Sequence, residues 1–247
     1  DFAVAATGEL QNANEVLTAD QRARLEAAKT ALVQPVYIVT PAEAAAREKS
    51  KAKSTATWRF SAKNVRDFGW AGSRKFIWDA MAVKQPDGGR DVLAMSFFPK
   101  EADPLWSAYS TKSIKTTIDV YSRYSIPYPY PTAQSVNGPV GGMEYPMISF
   151  NGPRPVKDDK GNLTYTDRSK YGLISVVIHE VGHNYFPMIV NSDERQWTWM
   201  DEGMNTFLQY LTEQEWEPNY PSRRGDPKDI TAYMLSEDQV PMMTQSD

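Results

Sequence analysis

The chain has 247 residues, of which 41% are hydrophobic and 23% charged, with a formal net charge of −4. That is room for one large or two smaller domains with a proper core, and no Lys/Arg block reaches the density of a nucleic-acid surface. There is no cysteine, which excludes disulfides, thiolate catalysis and any Cys-based zinc site; no apolar run approaches a membrane span.

The start, "DFAVAATGEL", lacks a basic n-region and an apolar h-region and so does not read as a signal peptide. It reads as a strand and a Gly8 turn already inside a domain, so the chain is expected to begin partway through a longer protein. Thr18 with Gln21, and Thr40-Pro41 with Glu43, have capping-box spacing and predict two helices rich in Ala, Glu, Arg and Lys. Both read as surface additions, with a strand, "PVYIVT", between them.

From Thr57 to Pro99 the aromatic and β-branched segments "TWRFSAKNVRDFGWAG", "KFIWDAMAV" and "DVLAMSFF" predict strands, and "QPDGG" a hairpin between the last two. After Pro99 the pattern becomes helical over "PLWSAYSTKSIKTTIDVYSRY", which places a domain boundary near residue 99. "SIPYPYPTAQSVNGP" reads as a Pro-rich extended loop, "VGGMEYPMISF" as one strand, and "KDDKGN" as the turn of a second hairpin.

Two final helices carry the chemistry. "KYGLISVVIHEVGHNYF" predicts an apolar helix that ends or kinks near Pro187. "WMDEGMNTFLQYLTEQEWE" predicts a second, with an apolar face at Met204, Phe207, Leu208 and Leu211. The first holds "HEVGH" and with it the chain's only two histidines. On a helix, His179 and His183 share one face and can place two ring nitrogens on one ion, while Glu180 lies about 100° further round. A catalytic zinc needs a third protein ligand and an open position. Without Cys or another His, that ligand has to be a carboxylate. Glu202, separated from His183 by residues 184–201, is the candidate; Asp193, Glu194 and Asp201 compete, and spacing alone does not separate them.

The order of H-E-x-x-H, eighteen intervening residues and a Glu in "WMDEG" resembles the aminopeptidase N and leukotriene hydrolase family of zinc metallopeptidases, a gluzincin family. "GGMEYP", at Gly141 to Pro146, looks like that family's G-x-M-E-N exopeptidase motif, and "VRDFGWAGSRKF" resembles the end of its N-terminal β domain. The resemblance implies an α+β fold. Residues 1–99 would be the C-terminal part of the N-terminal β domain, with a helical insertion at about 18–55. Residues 100–247 would be the N-terminal part of a thermolysin-like catalytic domain, truncated here.

Carried over residue by residue, it implies one Zn2+ per chain held by His179, His183 and Glu202. Glu180 would be the general base of a zinc-activated water. Glu144 would bind the free α-ammonium of a peptide substrate, with Gly141, Gly142 and Met143 along the bound chain. Three positions depart from the family pattern. Tyr145 stands where Asn is usual. Gln209 stands where a Glu often orients a ligand histidine; an amide still accepts that hydrogen bond but is neutral. The family's oxyanion-stabilising Tyr would fall beyond Asp247, and Tyr233 comes too early to replace it. The implied function is a zinc-dependent aminopeptidase completed by missing C-terminal and N-terminal parts of the same protein. A thermolysin-like endopeptidase and a non-catalytic peptide-binding relative are the alternatives. The "GMEYP" variant leans towards an extracytoplasmic, bacterial setting.

Overall fold

The computed structural model describes residues 1–85 and 88–229. The chain opens with β1 (Ala3–Ala6), a turn at Gly8, β2 (Glu9–Leu10) and the single turn α1 (Ala13–Val16). Gly8 has φ of 100°, and a side chain there would overlap the backbone of Ser61, so this turn needs glycine. Helices α2 (Ala19–Ala28) and α3 (Pro41–Lys49) flank β3 (Val36–Val39). Both begin with the expected reciprocal caps: the Thr18 hydroxyl accepts from Gln21 N–H at 3.2 Å, and the Thr40 hydroxyl from Glu43 N–H at 3.2 Å.

The next stretch is less regular than its aromatic composition suggests. Only β4 (Phe60–Ser61) and β5 (Trp70–Ser73) form before the long strands β6 (Ile77–Val83) and β7 (Val92–Phe98). The backbone between is held by isolated contacts: Gln11 N–H donates to Arg59 O at 2.8 Å and Thr7 N–H to Gly69 O at 3.0 Å, Asn12 bonds Thr57 O at 2.7 Å and Arg59 N at 2.9 Å, and the Thr7 hydroxyl accepts from Gly69 N–H at 3.0 Å. Strands β6 and β7 pair antiparallel as the hairpin signature implies, although its Pro86 and Asp87 lie outside the described residues.

Helix α4 (Leu105–Tyr124) leads into β8 (Thr132–Asn137), β9 (Gly142–Tyr145) and β10 (Ile148–Asn151). The small hairpin β11 (Val156–Lys157) and β12 (Leu163–Thr164) precedes α5 (Asp167–Gly182), and α6 (Met204–Trp216) follows. One six-stranded mixed sheet runs β3-β6-β7-β8-β10-β9. Strand β7 pairs in parallel with β8, which requires a crossover connection, and α4 is that crossover. The change of character at residue 99 is therefore the start of a crossover inside one continuous sheet, and β3, within residues 18–55, is that sheet's edge strand.

Two segments differ from their sequence reading. "TAQSVN" is not loop but β8, buried at every position between β7 and β10. Its polar side chains are satisfied by neighbouring segments: Gln134 donates to Ala6 O at 2.7 Å, and Asn137 to Asn151 O at 3.1 Å. "VGGMEYPMISF" is not one strand but the hairpin β9–β10, turned at Pro146-Met147 with Met147 at φ 64°.

Trp106, Ile114, Ile118 and Tyr121 of α4 and Leu173, Ile174, Val177 and Ile178 of α5 are fully buried in the core shared with the sheet. No described helix is long and apolar enough to cross a membrane.

Candidate metal centre

Helix α5 starts at a Thr166–Ser169 capping box and runs to Gly182. Beyond His183 the backbone widens into a π-type turn, Asn184–Ile189, with extended geometry at Phe186 just before Pro187. The helix therefore stops where the proline requires it. A second wide turn, Trp199–Gly203, delivers Glu202 and leads directly into α6.

These elements bring His179, His183 and Glu202 together. The two Nε2 atoms lie 3.1 Å apart, and Glu202 Oε2 lies 3.1 Å from His179 Nε2 and 3.8 Å from His183 Nε2. A tetrahedral zinc with bonds of about 2.0–2.1 Å sets its donors roughly 3.3 Å apart, so this triangle fits such an ion without rearrangement. The donor set, two imidazoles and a carboxylate, suits zinc as well. Of the competing carboxylates, Glu194 pairs with Arg66 at 3.2 Å, away from this triangle. Asp201 sits on the far side of His183, with Oδ1 2.9 Å from Nδ1.

The outer ring nitrogens are held as well. His183 Nδ1 is 2.8 Å from the Phe186 carbonyl. Asp201 Oδ1 lies beside the same nitrogen in a less well-aligned position, and its contact and charge both favour a proton on His183. Burial alone would lower the His183 pKa, but Asp201, Glu144 and Glu202 together push it up to about 9. His179 Nδ1 lies 2.9 Å from Gln209 Oε1, as an amide at that position allows.

Glu180 is 6% exposed and close enough to β9 that any side chain at Gly142 would collide with its carboxylate. Burial raises its pKa to about 7, against the opposing pull of His179 and His183. One oxygen each from Glu144 and Glu180 and a ring nitrogen of His183 fall within 4.8 Å of one another. Burial raises the Glu144 pKa too. The β9–β10 turn is tied to the end of α5, where Asn184 Oδ1 accepts from Met147 N–H at 2.8 Å. That contact sets where Glu144 sits. Gly141, Gly142 and Met143 are exposed on the sheet's edge, and a cleft of about 890 Å³ runs from Gly141 and Gly142 past His179 and Glu180 to Arg223 and Arg224. A more apolar cavity of about 450 Å³ near Leu10, Trp78 and Phe97 includes none of these groups. Tyr233 lies outside the described residues.

Sequence reasoning missed Asn205 and Glu213. Asn205 is fully buried; its amide donates to His179 O at 2.9 Å, and its carbonyl accepts from the Tyr121 hydroxyl at 2.7 Å. Glu213 is 1% exposed and accepts from Gln209 Nε2 at 2.7 Å. Both lie four residues from Gln209 on α6, and that spacing was the available signal.

Helix α5 thus bears two histidines and a buried carboxylate, and the wide turn before α6 brings Glu202 to the same point. The peptidase family M1 domain matches residues 109–245, more than half of the chain, and the chain belongs to that family. It is 27% identical over 100 residues to aminopeptidase M1 of Arabidopsis thaliana, covering 38% of this chain and 11% of that protein. It is 26% identical over 137 residues to probable aminopeptidase 1 of Sulfurisphaera tokodaii, covering 53% and 17%. The crystal structure of Legionella pneumophila aminopeptidase A in complex with aspartic acid superposes with a TM-score of 0.50 at 15% identity, over 60% of this chain and 17% of that one; this likeness concerns the fold. The matches thus span between 11% and 17% of the length of these proteins.

Proposed function

We propose that this chain carries the metal ligands, general base and amine anchor of a zinc-dependent aminopeptidase, built from the end of a β-rich domain and the first part of a thermolysin-like one. The observation that carries the reading is the convergence of His179 Nε2, His183 Nε2 and Glu202 Oε2, with Glu180 and Glu144 grouped around the same His183. When bound, zinc supplies Lewis-acid polarisation of the peptide carbonyl and eases deprotonation of water.

The remaining work falls to side chains of this chain. Glu180 accepts the proton of the attacking water and returns it to the leaving amine. A carboxylate within reach of the attacking water is the group type suited to that transfer. Glu144 receives the substrate's α-ammonium, which limits cleavage to the first peptide bond. Strand β9 is the outermost strand of its sheet, so a peptide can add alongside it through main-chain hydrogen bonds, with Gly141 and Gly142 presenting no side chain in the way. The "GMEYP" variant supports an extracytoplasmic bacterial setting as part of the same proposal.

The test is metal content with paired assays on free-amine and N-acetylated peptides. One zinc per chain and cleavage of free-amine peptides alone are expected. Glu144→Ala should keep zinc yet lose activity on them, since removing a buried charge-assisted contact costs about 2–5 kcal/mol. Equal cleavage of N-acetylated peptides would overturn the amine anchor.

A further inference from the structure

Glu213 has no part in the chemistry above, yet it is a carboxylic side chain almost fully buried on α6, with Oε2 unpartnered and Oε1 accepting from Gln209 Nε2 at 2.7 Å. A buried oxygen without a donor is unfavourable for stability and calls for a reason. The other end of the Gln209 amide supplies one: Gln209 Oε1 lies 2.9 Å from His179 Nδ1.

We propose that Glu213 is a positioning residue that fixes the tautomer and ring orientation of His179 through the Gln209 amide; the inference rests on the zinc reading above. A glutamine side chain has a donor end and an acceptor end, and nothing in its shape decides which faces which way. Gln209 Nε2 is only a donor, so the Glu213 oxygen beside it accepts, and the amide nitrogen is held on that side. Gln209 Oε1 is thereby turned to His179 Nδ1, where it accepts. Nδ1 carries the ring proton, and Nε2, the atom facing His183 and Glu202, keeps its lone pair for a metal.

The lock matters because a competing donor sits beside the same nitrogen. Asn205 Nδ2 is 3.4 Å from His179 Nδ1. A flipped Gln209 would add a second donor and favour the wrong tautomer, with the proton on Nε2. Asn205 is itself fixed by the Tyr121 hydroxyl on its carbonyl, which leaves Gln209 as the free choice that Glu213 settles. The arrangement also brings a carboxylate into contact with the ligand histidine through one intervening amide.

The test compares Glu213→Gln and the swap Gln209→Glu/Glu213→Gln with the unmutated protein by chelator competition for zinc, and by ring-nitrogen NMR of the metal-free chains in a Glu202→Ala background, which removes the carboxylate 3.1 Å from His179 Nε2 that would otherwise hold a proton there. The chain's two histidines give two ring signals, assigned with a His183→Ala variant. A glutamine at 213 can present either end, so Glu213→Gln should raise the zinc Kd about tenfold or more and turn the single Nδ1–H signal of His179 into a mixture. The swap places a carboxylate directly at His179 Nδ1 and should restore both readouts. An unchanged Kd and tautomer in Glu213→Gln would overturn the proposal, as would a swap as weak as the single variant. Should Glu213→Gln fail to fold, the swap alone decides on the same criterion. If the unmutated protein bound no zinc, the zinc reading would fall, while the His179 ring signal would still decide the role of Glu213.

Discussion

Helix α5 turns Leu173, Ile174, Val177, Ile178 and Val181 into the core, whereas α6 turns Asn205, Gln209, Thr212 and Glu213 inward and leaves Met204 41% and Phe207 44% exposed. Two of the four apolar positions expected on α6 are thus exposed, while Leu208 is buried and Leu211 packs against the core. The difference follows from what each helix faces. Helix α5 lies against the sheet and α4 and can bury hydrocarbon there. Helix α6 lies against the back of α5's histidines, where His179 Nδ1 and the His179 carbonyl need partners. A buried polar group without one costs about 1–3 kcal/mol, comparable to the gain from burying another apolar side chain. Hydrophobic patterning finds a helix that packs on a core; it misleads for a helix whose task is to satisfy polar atoms.

The comparison can be broken from either side. Ile178→Ala removes bulk from α5's fully buried face and should destabilise by about 2–5 kcal/mol; denaturant unfolding checks it, and a change below about 1 kcal/mol would mean that this face is not packed as described. Glu180→Gln acts on α5's polar edge alone. It should leave zinc content and unfolding unchanged while lowering turnover at least about a hundredfold; activity within a few fold of the unmutated protein would remove Glu180 from the chemistry. Asn205→Ala strips two hydrogen bonds from α6's inner face and should cost about 1–3 kcal/mol, against almost nothing if that face were apolar in effect. Phe207→Ser on α6's outer face should shift stability by no more than about 0.5 kcal/mol in this chain. A large loss there would restore the apolar-face reading.

The pair of histidines was legible because its information is local. A four-residue spacing on a helix places two imidazoles on one side whatever surrounds them, and the caps at Thr18, Thr40 and Thr166 work within one turn of chain. The hairpin β6–β7 and the helix end near Pro187 were local in the same sense. The burial of β8 was not. Thr132, Gln134, Ser135 and Asn137 look like loop residues until Ala6, Gly8, Ser149 and Asn151 arrive from distant parts of the chain to pair with them.

Composition, helix periodicity and turn chemistry by themselves determined the mixed helix-and-sheet class, the absence of thiol chemistry and the pair of histidines on one helical face. Spacing left open which carboxylate joins them; the resemblance named Glu202, and the tertiary structure brings Glu202 to the histidines. Asp193, Glu194, Asp201 and Glu202 are equivalent by charge and close in sequence, and only the wide turn Trp199–Gly203 sends Glu202 to the Nε2 side, Asp201 to the Nδ1 side of His183 and leaves Glu194 to Arg66. It decided, too, that β9 and β10 fold back as a hairpin to bring Glu144 to the same point, and that Gln209 has a carboxylate behind it. Each of these depends on the direction in which a side chain leaves the backbone relative to a group far away in the chain, and a linear pattern of residues carries no such direction.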